Sequence, residues 1–524
     1  MKRPLLIILL LAGISQVLYA QSAEDLTSRA IQKANKGDYD GAIADCDSAI
    51  QLDPGSVKAF YSRGFAKSSL GHYADAIADY DQAIELDPTF TVLYINRGNA
   101  KDEMGRYTDA IADFSQAIVL EPRSAVAYNN RGIAKNCLGH YTDAIEDFDQ
   151  AIVLLPKFEQ AYNNRGHAKI NLKRYTEAKA DFDVAIALYP KFSQAYNNRG
   201  LAKDFLGDYT EAMADLNQAI ALDPKCAEAY NNRAHVENRL KHYKEALADC
   251  NQALAIIPRY PDAFYNRGVA AGNLENYTNA IADFDQTITL EPKYADAYSN
   301  RAGAKVNAGN YAGAVDDYTT AIKLDPKNIE AYIGRARAKI KLGKNQEALA
   351  DLDLAVTINP NYAAVFGTRG ALRNSLGSYN NALPDLDRAI AIDPKYAEAY
   401  YNRGIAKNNL GMTADALADY DMAIKLDPKS ALAYNSRGAV KNSLNKYTDA
   451  IADFNQAIEL DPKLAQAFQN RGYAWYKLGN SKANYHKAID DYKTAVQLGG
   501  SNFKPAFNYQ ESAMAALDKP AKGQ

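Results

Sequence analysis

Asparagine residues recur at a fixed spacing over much of the chain. A first row of seven stands 34 residues apart: Asn96, Asn130, Asn164, Asn198, Asn232, Asn266 and Asn300. A second row of four directly precedes members of the first: Asn129, Asn163, Asn197 and Asn231. A carboxamide both donates and accepts hydrogen bonds, so it can bind the backbone of an extended peptide without reading its side chains. The two rows therefore predict a peptide-binding surface, with His167 and His235 one helical turn beyond the second row.

A repeated pair of opposite charges accompanies the asparagines. Arg131 precedes Asp147, and Arg165 precedes Asp181, by the same number of residues. The same arginine and aspartate recur along the whole chain, which suits a scaffold contact better than a charged stripe for ligand capture. We expect these ion pairs to join the two helices of one structural unit or of two adjacent units. Such a contact sets the register of packing more than it adds stability.

The residue patterns of common catalytic sites are absent from the sequence. It contains no GxSxG, no phosphate-binding loop, no HExxH and no GxGxxG that opens a helix. Six histidines are scattered and four cysteines form no CxxC pair; Cys46 and Cys250 are expected to be buried apolar residues. We therefore expect no enzyme activity, no cofactor and no metal. The net charge of −3 gives no electrostatic reason to expect nucleic acid as a partner.

Proline marks the units that must position these side chains. From Pro54 to Pro462, thirteen prolines stand 34 residues apart. In one such unit, Ala125–Phe158, apolar and small residues fall at helical spacing in two stretches. A glycine-histidine pair separates the two stretches, and Pro156 ends the second one. Each unit is thus predicted to form two antiparallel helices that bury their apolar faces by stacking on neighbouring units. We expect fourteen such units over residues 23–502.

The unit has a consensus that can be compared with known repeats. The pattern A-Y-x-N-R-G-x-A-K-x-x-L-G-x-Y-x-x-A-I-x-D-F-x-x-A-I-x-L-x-P resembles the tetratricopeptide repeat. The resemblance implies an all-α fold, a right-handed α-solenoid of tandem helix–turn–helix units whose first helices line a concave face. It also implies protein or peptide binding. The first asparagine row is similar to the asparagine ladder in the repeat region of O-GlcNAc transferases, of which only the binding mode would apply here.

The two ends of the chain differ from the repeats. Lys2 and Arg3 precede an apolar run that is too short to span a bilayer comfortably, and Ala20 follows it. This order is typical of a secretory signal peptide covering residues 1–20. We therefore predict an exported bacterial-type array in the periplasm or the extracellular space, without a membrane span after cleavage. Residues 503–524 are predicted to form a capping helix and a tail.

Two glycines predict where the array is weakest. Gly272 and Gly303 lie inside the first helices of repeats 8 and 9. A glycine in a helix interior costs about 1 kcal/mol relative to alanine. These two repeats should therefore open before repeats 4 to 7.

The predicted function is a non-enzymatic scaffold that binds proteins or extended peptides along the concave face of repeats 3 to 9. One alternative is a glycan-binding protein of the cell envelope, for which the face offers the widely spaced rings of Tyr61, Tyr265 and Tyr401. Another is a subunit of an envelope complex that binds its partners through the convex surface.

Overall fold

The computed structural model describes residues 22–479, 481–499 and 510–515. The predicted signal peptide, and all of the predicted capping segment except residues 510–515, lie outside these residues. The described part of the chain is helical throughout and contains no strand. It comprises 28 long helices and a short helical segment at 510–515.

The helices alternate as first and second members of each repeat, so that odd numbers are first helices and even numbers are second helices. In chain order they are α1 (Ala23–Asn35), α2 (Tyr39–Leu52), α3 (Val57–Ser69), α4 (Tyr73–Leu86), α5 (Thr91–Glu103), α6 (Tyr107–Leu120), α7 (Ala125–Cys137), α8 (Tyr141–Leu154), α9 (Glu159–Asn171), α10 (Tyr175–Leu188), α11 (Ser193–Leu206), α12 (Tyr209–Leu222), α13 (Ala227–Arg239), α14 (Tyr243–Ile256), α15 (Pro261–Asn273), α16 (Tyr277–Leu290), α17 (Ala295–Asn307), α18 (Tyr311–Leu324), α19 (Ile329–Lys341), α20 (Asn345–Ile358), α21 (Ala363–Ser375), α22 (Tyr379–Ile392), α23 (Ala397–Asn409), α24 (Thr413–Leu426), α25 (Ala431–Ser443), α26 (Tyr447–Leu460), α27 (Ala465–Leu478) and α28 (Lys482–Gly499). The all-α architecture of tandem helix–turn–helix units is confirmed.

The turn between the two helices of a repeat needs a left-handed residue at one position. Gly139 takes it with φ +80°, and Lys173 occupies the same place one repeat later with φ +60°. Glycine adopts this backbone conformation without strain, whereas a lysine there is uncommon. The second helix then begins at Tyr141 or Tyr175.

Small residues let the two helices of a repeat approach closely. A Cβ atom at Gly132 would lie 2.7 Å from Cε1 of Phe148, whose ring is fully buried. Ala144 and Ala151 are likewise fully buried on the second helix. Cys46 stands where Phe148 stands in its repeat, and its burial raises the pKa of its thiol to about 12. The repeated glycine and alanine positions are therefore contact points between helix backbones.

Each repeated arginine holds two acidic or polar side chains at once. Arg165 donates from Nε and Nη2 to Asp181 in its own repeat, and from Nη1 to Asp149 on the second helix of the preceding repeat, at 2.6 Å. Lys169 also donates to Asp181, at 2.7 Å. Arg131 contacts Asp147 in the same way, at 2.7–2.9 Å. The arginine thus joins the two helices of one repeat and also two successive repeats.

The chain divides into two compact units, unit 1 (Met1–Ala270) and unit 2 (Ala271–Gln524). Within each unit, the first helices of successive repeats contact one another. Successive second helices make no such contact among the described residues. The first helices therefore line the inner face of each unit. No helix in the described ranges combines the length and apolar character needed to cross a bilayer.

Candidate functional site

The asparagines of unit 1 form a hydrogen-bonded ladder. Asn164 donates from Nδ2 to Oδ1 of Asn129 in the preceding repeat at 3.1 Å, and Asn163 donates to Oδ1 of Asn164 at 3.4 Å. The same alternation continues without interruption through eight amides: Asn99, Asn130, Asn129, Asn164, Asn163, Asn198, Asn197 and Asn232. Asn266 makes the equivalent bond to Asn231 at 2.9 Å. The ladder therefore connects successive repeats along the inner face of unit 1.

The second row is buried throughout, with only 3–6% of each residue exposed: Asn129, Asn163, Asn197 and Asn231. The first row is mixed, because Asn198 and Asn266 are only 8% and 5% exposed, whereas the other linked members are partly exposed: Asn130, Asn164 and Asn232. A linked first-row amide such as Asn164 uses one N–H and one acceptor site in the ladder, and keeps one of each. The second row is therefore mainly structural, whereas the partly exposed members of the first row can still contact a ligand: Asn130, Asn164 and Asn232.

The two ends of the first row have different surroundings from the linked amides. Asn96 lines a separate recess together with Asn99. Asn300, in unit 2, is exposed and donates to the backbone oxygen of Asp296 within its own helix. The uninterrupted amide surface is thus shorter than the spacing in the sequence predicts.

A cleft of about 590 Å³, called cleft 1 below, opens over the ladder at repeats 5 to 7. Four ladder amides line it: Asn163, Asn164, Asn197 and Asn198. His167, Phe192 and Gln194 face it from repeats 5 and 6, and Asp223, Lys225 and Glu228 face it from the opposite side. Its lining thus offers amides, one imidazole and charges of both signs.

The two predicted histidines have different surroundings. His167 lines cleft 1, and its Nδ1 lies 3.2 Å from the amide nitrogen of Asn136. Partial desolvation lowers the pKa of His167, so the imidazole is neutral near pH 7 although the residue is exposed. His235 lies outside the cleft, where its Nδ1 is 2.8 Å from Oδ2 of Asp204, a residue only 1% exposed. Only His167 joins the amides.

Several lining residues were not predicted from the sequence. Gln194 and Glu228 occupy the first turn of α11 and α13, at a position whose residue type varies from repeat to repeat. That variability, beside positions that are nearly invariant, was the available signal. Lys225 and Phe192 come from the loops between repeats and carried no comparable signal.

The described residues hold no group of three His, Cys, Asp or Glu side chains arranged as metal ligands. What cleft 1 presents is hydrogen-bonding amides and charges of both signs.

Models of a known repeat family match segments along much of the chain. Models described as TPR repeat match residues 98–135, 206–240, 370–411 and 440–479. Models described as tetratricopeptide repeat match residues 57–90, 79–112, 159–192, 227–260, 265–328, 305–372 and 397–430. No curated protein sequence matches the chain significantly.

Solved structures of helical-repeat proteins resemble the chain. The Cut9–Hcn1 hetero-tetramer of the APC/C matches with a TM-score of 0.50 and 15% identity, over 96% of this chain and 99% of that chain. MamA matches with a TM-score of 0.30 and 29% identity, over 31% of this chain and 95% of its own. The TPR domain of P58(IPK) matches with a TM-score of 0.32 and 19% identity, over 76% and 99%. The family matches together span more than half of the sequence, and the chain belongs to the tetratricopeptide repeat family.

Proposed function

We propose that this protein is a non-enzymatic scaffold that binds a partner protein through an extended segment laid along the inner face of repeats 4 to 7. The observation that carries the proposal is cleft 1, which opens directly over the ladder and is lined by amides with hydrogen-bonding capacity left over. An extended peptide presents alternating N–H and C=O groups, and carboxamides match both. The family supports the choice of a protein ligand, because its fold is typical of protein–protein interaction.

The ladder prepares this face for binding. Each amide is held by its neighbour in the next repeat, so its side chain is already ordered before a ligand arrives. A pre-ordered side chain loses less conformational entropy on binding, which favours affinity. Hydrogen bonds to neutral amides also depend little on ionic strength.

The test is a titration of a captured partner against variants of cleft 1. Replacing first-row asparagines would also break the ladder, so the variant should be His167→Ala with Gln194→Ala, neither of which bonds within it. With about 0.5–1.5 kcal/mol for each hydrogen bond, the double variant should lose about 1–3 kcal/mol, or roughly 5- to 150-fold in affinity. The control is Val119→Ser with Val153→Ser, because these side chains are 70–71% exposed on second helices, away from the cleft.

Each outcome separates the proposal from its alternatives. Loss of affinity in the cleft variant alone, with an unchanged circular dichroism spectrum, supports peptide binding on the inner face. Loss in the control alone moves the site to the second helices, as expected for a complex subunit that binds through its convex surface. Captured material that contains sugar and no peptide would instead favour a glycan ligand.

We also propose that the protein is exported to the periplasm or the extracellular space. The support is the basic and then apolar order of residues 1–20. Determining the N-terminus of the mature chain would test it: a terminus at Gln21 is expected, and retention of residue 1 in a cytoplasmic fraction would refute export.

A further inference from the structure

Unit 2 contains a second cleft, called cleft 2 below, of about 400 Å³. It lies on the inner face of repeats 11 to 13, at the place in the repeat frame that cleft 1 occupies six repeats earlier. Asn402 and Asp427 line cleft 2, and the residues at the same repeat positions in cleft 1 are also Asn and Asp. The two clefts are therefore equivalent positions of one repeated design, and their linings can be compared residue by residue.

The other lining positions have changed in chemical character. Glu398 stands where cleft 1 has Gln194, and Tyr401 stands where it has Asn197. Ala371 replaces the imidazole of cleft 1, and Leu432 replaces its glutamate. Cleft 2 has exchanged neutral hydrogen-bonding groups for a carboxylate, an aromatic ring and aliphatic surface.

Among the described residues, neither carboxylate of cleft 2, Glu398 or Asp427, forms an ion pair, whereas Asp419 in the same repeat pairs with Arg403 and Lys407. Asp427 accepts a hydrogen bond from the backbone N–H of Lys429 at 3.1 Å. Burial, together with the negative charge of Glu398, raises the pKa of the Tyr396 hydroxyl to about 12. Arg337, whose charge opposes this rise in the pKa of Tyr396, donates to Thr368 at 3.3 Å and does not line the cleft.

A cation with an aliphatic stem matches this lining in charge and shape. We propose that cleft 2 binds the side chain of a lysine in an extended peptide, with its ammonium group between Glu398, Asp427 and the ring of Tyr401, and its methylene stem over Ala371 and Leu432. Carboxylates attract the ammonium group, and an aromatic face adds a cation–π contribution. The lysine stem covers apolar surface while the charged end stays polar. The proposal rests on the proposed function, because the lysine belongs to a peptide on the inner face.

The experiment uses the full mature chain and a short fluorescent peptide of Gly and Ser with one central lysine. Two further probes carry norleucine, which keeps the stem but lacks the charge, or Nε-acetyl-lysine, which keeps the length and is neutral. We expect the lysine probe to bind about tenfold more tightly than either, since two carboxylates and a ring act together at a partly exposed site. Fluorescence anisotropy at low and at high salt should show this preference shrinking as salt rises.

Two matched variants show whether cleft 2 is responsible. Glu398→Gln installs the residue that cleft 1 has at this position, so the fold should tolerate it, and Asp427→Asn removes the second charge. Together they should abolish the preference for lysine over norleucine. The control, His167→Ala with Gln194→Ala, alters cleft 1 and should leave the preference unchanged. Carbodiimide treatment of the bound lysine probe, followed by mass spectrometry, should place the amide cross-link at Glu398 or Asp427.

Equal affinity for the lysine and norleucine probes, or cross-links found only elsewhere, would overturn the assignment of cleft 2. If a captured partner still depends on cleft 1 in that case, the proposed function stands and only this inference fails. If the lysine preference is found in cleft 2 while the captured partner ignores cleft 1, the inference stands and the site proposed in unit 1 fails.

Discussion

Glu237 interrupts a column of basic residues on the first helices. At this helix position eleven repeats have a lysine or an arginine bonded to the aspartate of the same repeat; Lys203 and Asp215, at 2.8 Å, are an example. Glu237 is only 6% exposed, and its Oε2 has no hydrogen-bond partner among the described residues. Burial, reinforced by the negative charge of Asp249, raises the pKa of Glu237 to about 7.

The charges around Glu237 determine how repeat 7 responds to pH. Asp249 and Glu245 on α14 raise the pKa of its carboxyl, and Arg233 on α13 lowers it. Because the folded pKa lies above the ordinary value of 4.5, folding favours the protonated form. This stabilisation is complete below pH 4.5 and is lost as the pH rises through 7. At about 1.4 kcal/mol per pKa unit, the loss of folding stability would be about 3 kcal/mol.

Two substitutions at this position give opposite controls. Glu237→Gln keeps the shape of the side chain and removes its titratable carboxyl group. The stability of α13 and α14, measured relative to the neighbouring helices, should then be the same at pH 5 and at pH 8. Glu237→Lys restores the basic residue that the other repeats have, and should stabilise repeat 7 at pH 8. Lys203→Glu, the reverse exchange in repeat 6, should reproduce there the pH sensitivity of repeat 7.

The assay is hydrogen exchange, followed by mass spectrometry of peptides from α13 and α14, with exchange times corrected for the intrinsic dependence on pH. Wild-type protein should exchange faster in repeat 7 at pH 8 than at pH 5 once this correction is made. If Glu237→Gln shows the same dependence on pH as the wild type, the carboxyl does not titrate in this range and the reasoning is wrong.

Three further predictions follow from the packing of the repeats. Gly303→Ala should stabilise repeat 9 by about 1 kcal/mol, because a Cβ atom there would meet no atom closer than 3.8 Å. Gly132→Ala should destabilise repeat 4, because its Cβ atom would lie 2.7 Å from a buried ring. Thermal unfolding of both variants tests this contrast. Arg165→Ala should lower the free energy of unfolding by about 3 kcal/mol, because a buried aspartate loses its arginine partner. Hydrogen exchange should become faster in repeats 4 and 5, and an unchanged rate would contradict this prediction. Asn163→Ala should cost about 1–3 kcal/mol through two broken ladder bonds, while Asn96→Ala, outside the ladder, should change little; urea titration distinguishes them.

The 34-residue period was sufficient to predict the helices of each repeat. In the repeat Ala125–Phe158, the helices α7 and α8 end and begin around the predicted break at Gly139, and Pro156 follows the end of α8. Proline and glycine act through local backbone geometry, so their effect can be predicted from neighbouring residues alone. Fold class was therefore accessible from the sequence.

The contacts between repeats were harder to predict from the sequence than the helices. Charge complementarity predicted an ion pair within one repeat or between two adjacent repeats, but not that Arg165 would make both at once, with Asp181 and with Asp149. The amides of Asn163 and Asn164 were predicted to face a ligand side by side, whereas one is buried beneath the other. Both results depend on how far each first helix is rotated against the next one. That rotation is set by packing across many residues and has no local signature.

Next to the interior glycines of repeats 8 and 9, the sequence also changes at one repeated basic position. The basic residue that follows the repeated arginine is missing in two successive repeats, where Glu237 and Ala271 replace it. The boundary between the two compact units falls at residues 270 and 271, in the second of these repeats. In a linear array, each repeat is stabilised by its neighbours. The loss of the same repeated contact in two adjacent repeats should therefore lower the stability of the array at those two repeats.

Residues that hold the scaffold and residues that bind a ligand can be separated by their behaviour along the array. Arg165 and its counterparts recur in every repeat because each repeat must make the same contacts with the next. Gln194 and Glu398 occupy equivalent positions on the inner face and differ in charge, although both helices around them are built alike. A residue that makes none of the contacts shared by all repeats can be replaced without loss of stability. Variation at such positions is therefore where two clefts of one design can acquire different ligands, an amide-rich surface for peptide backbone in cleft 1 and an acidic, aromatic surface for a cation in cleft 2.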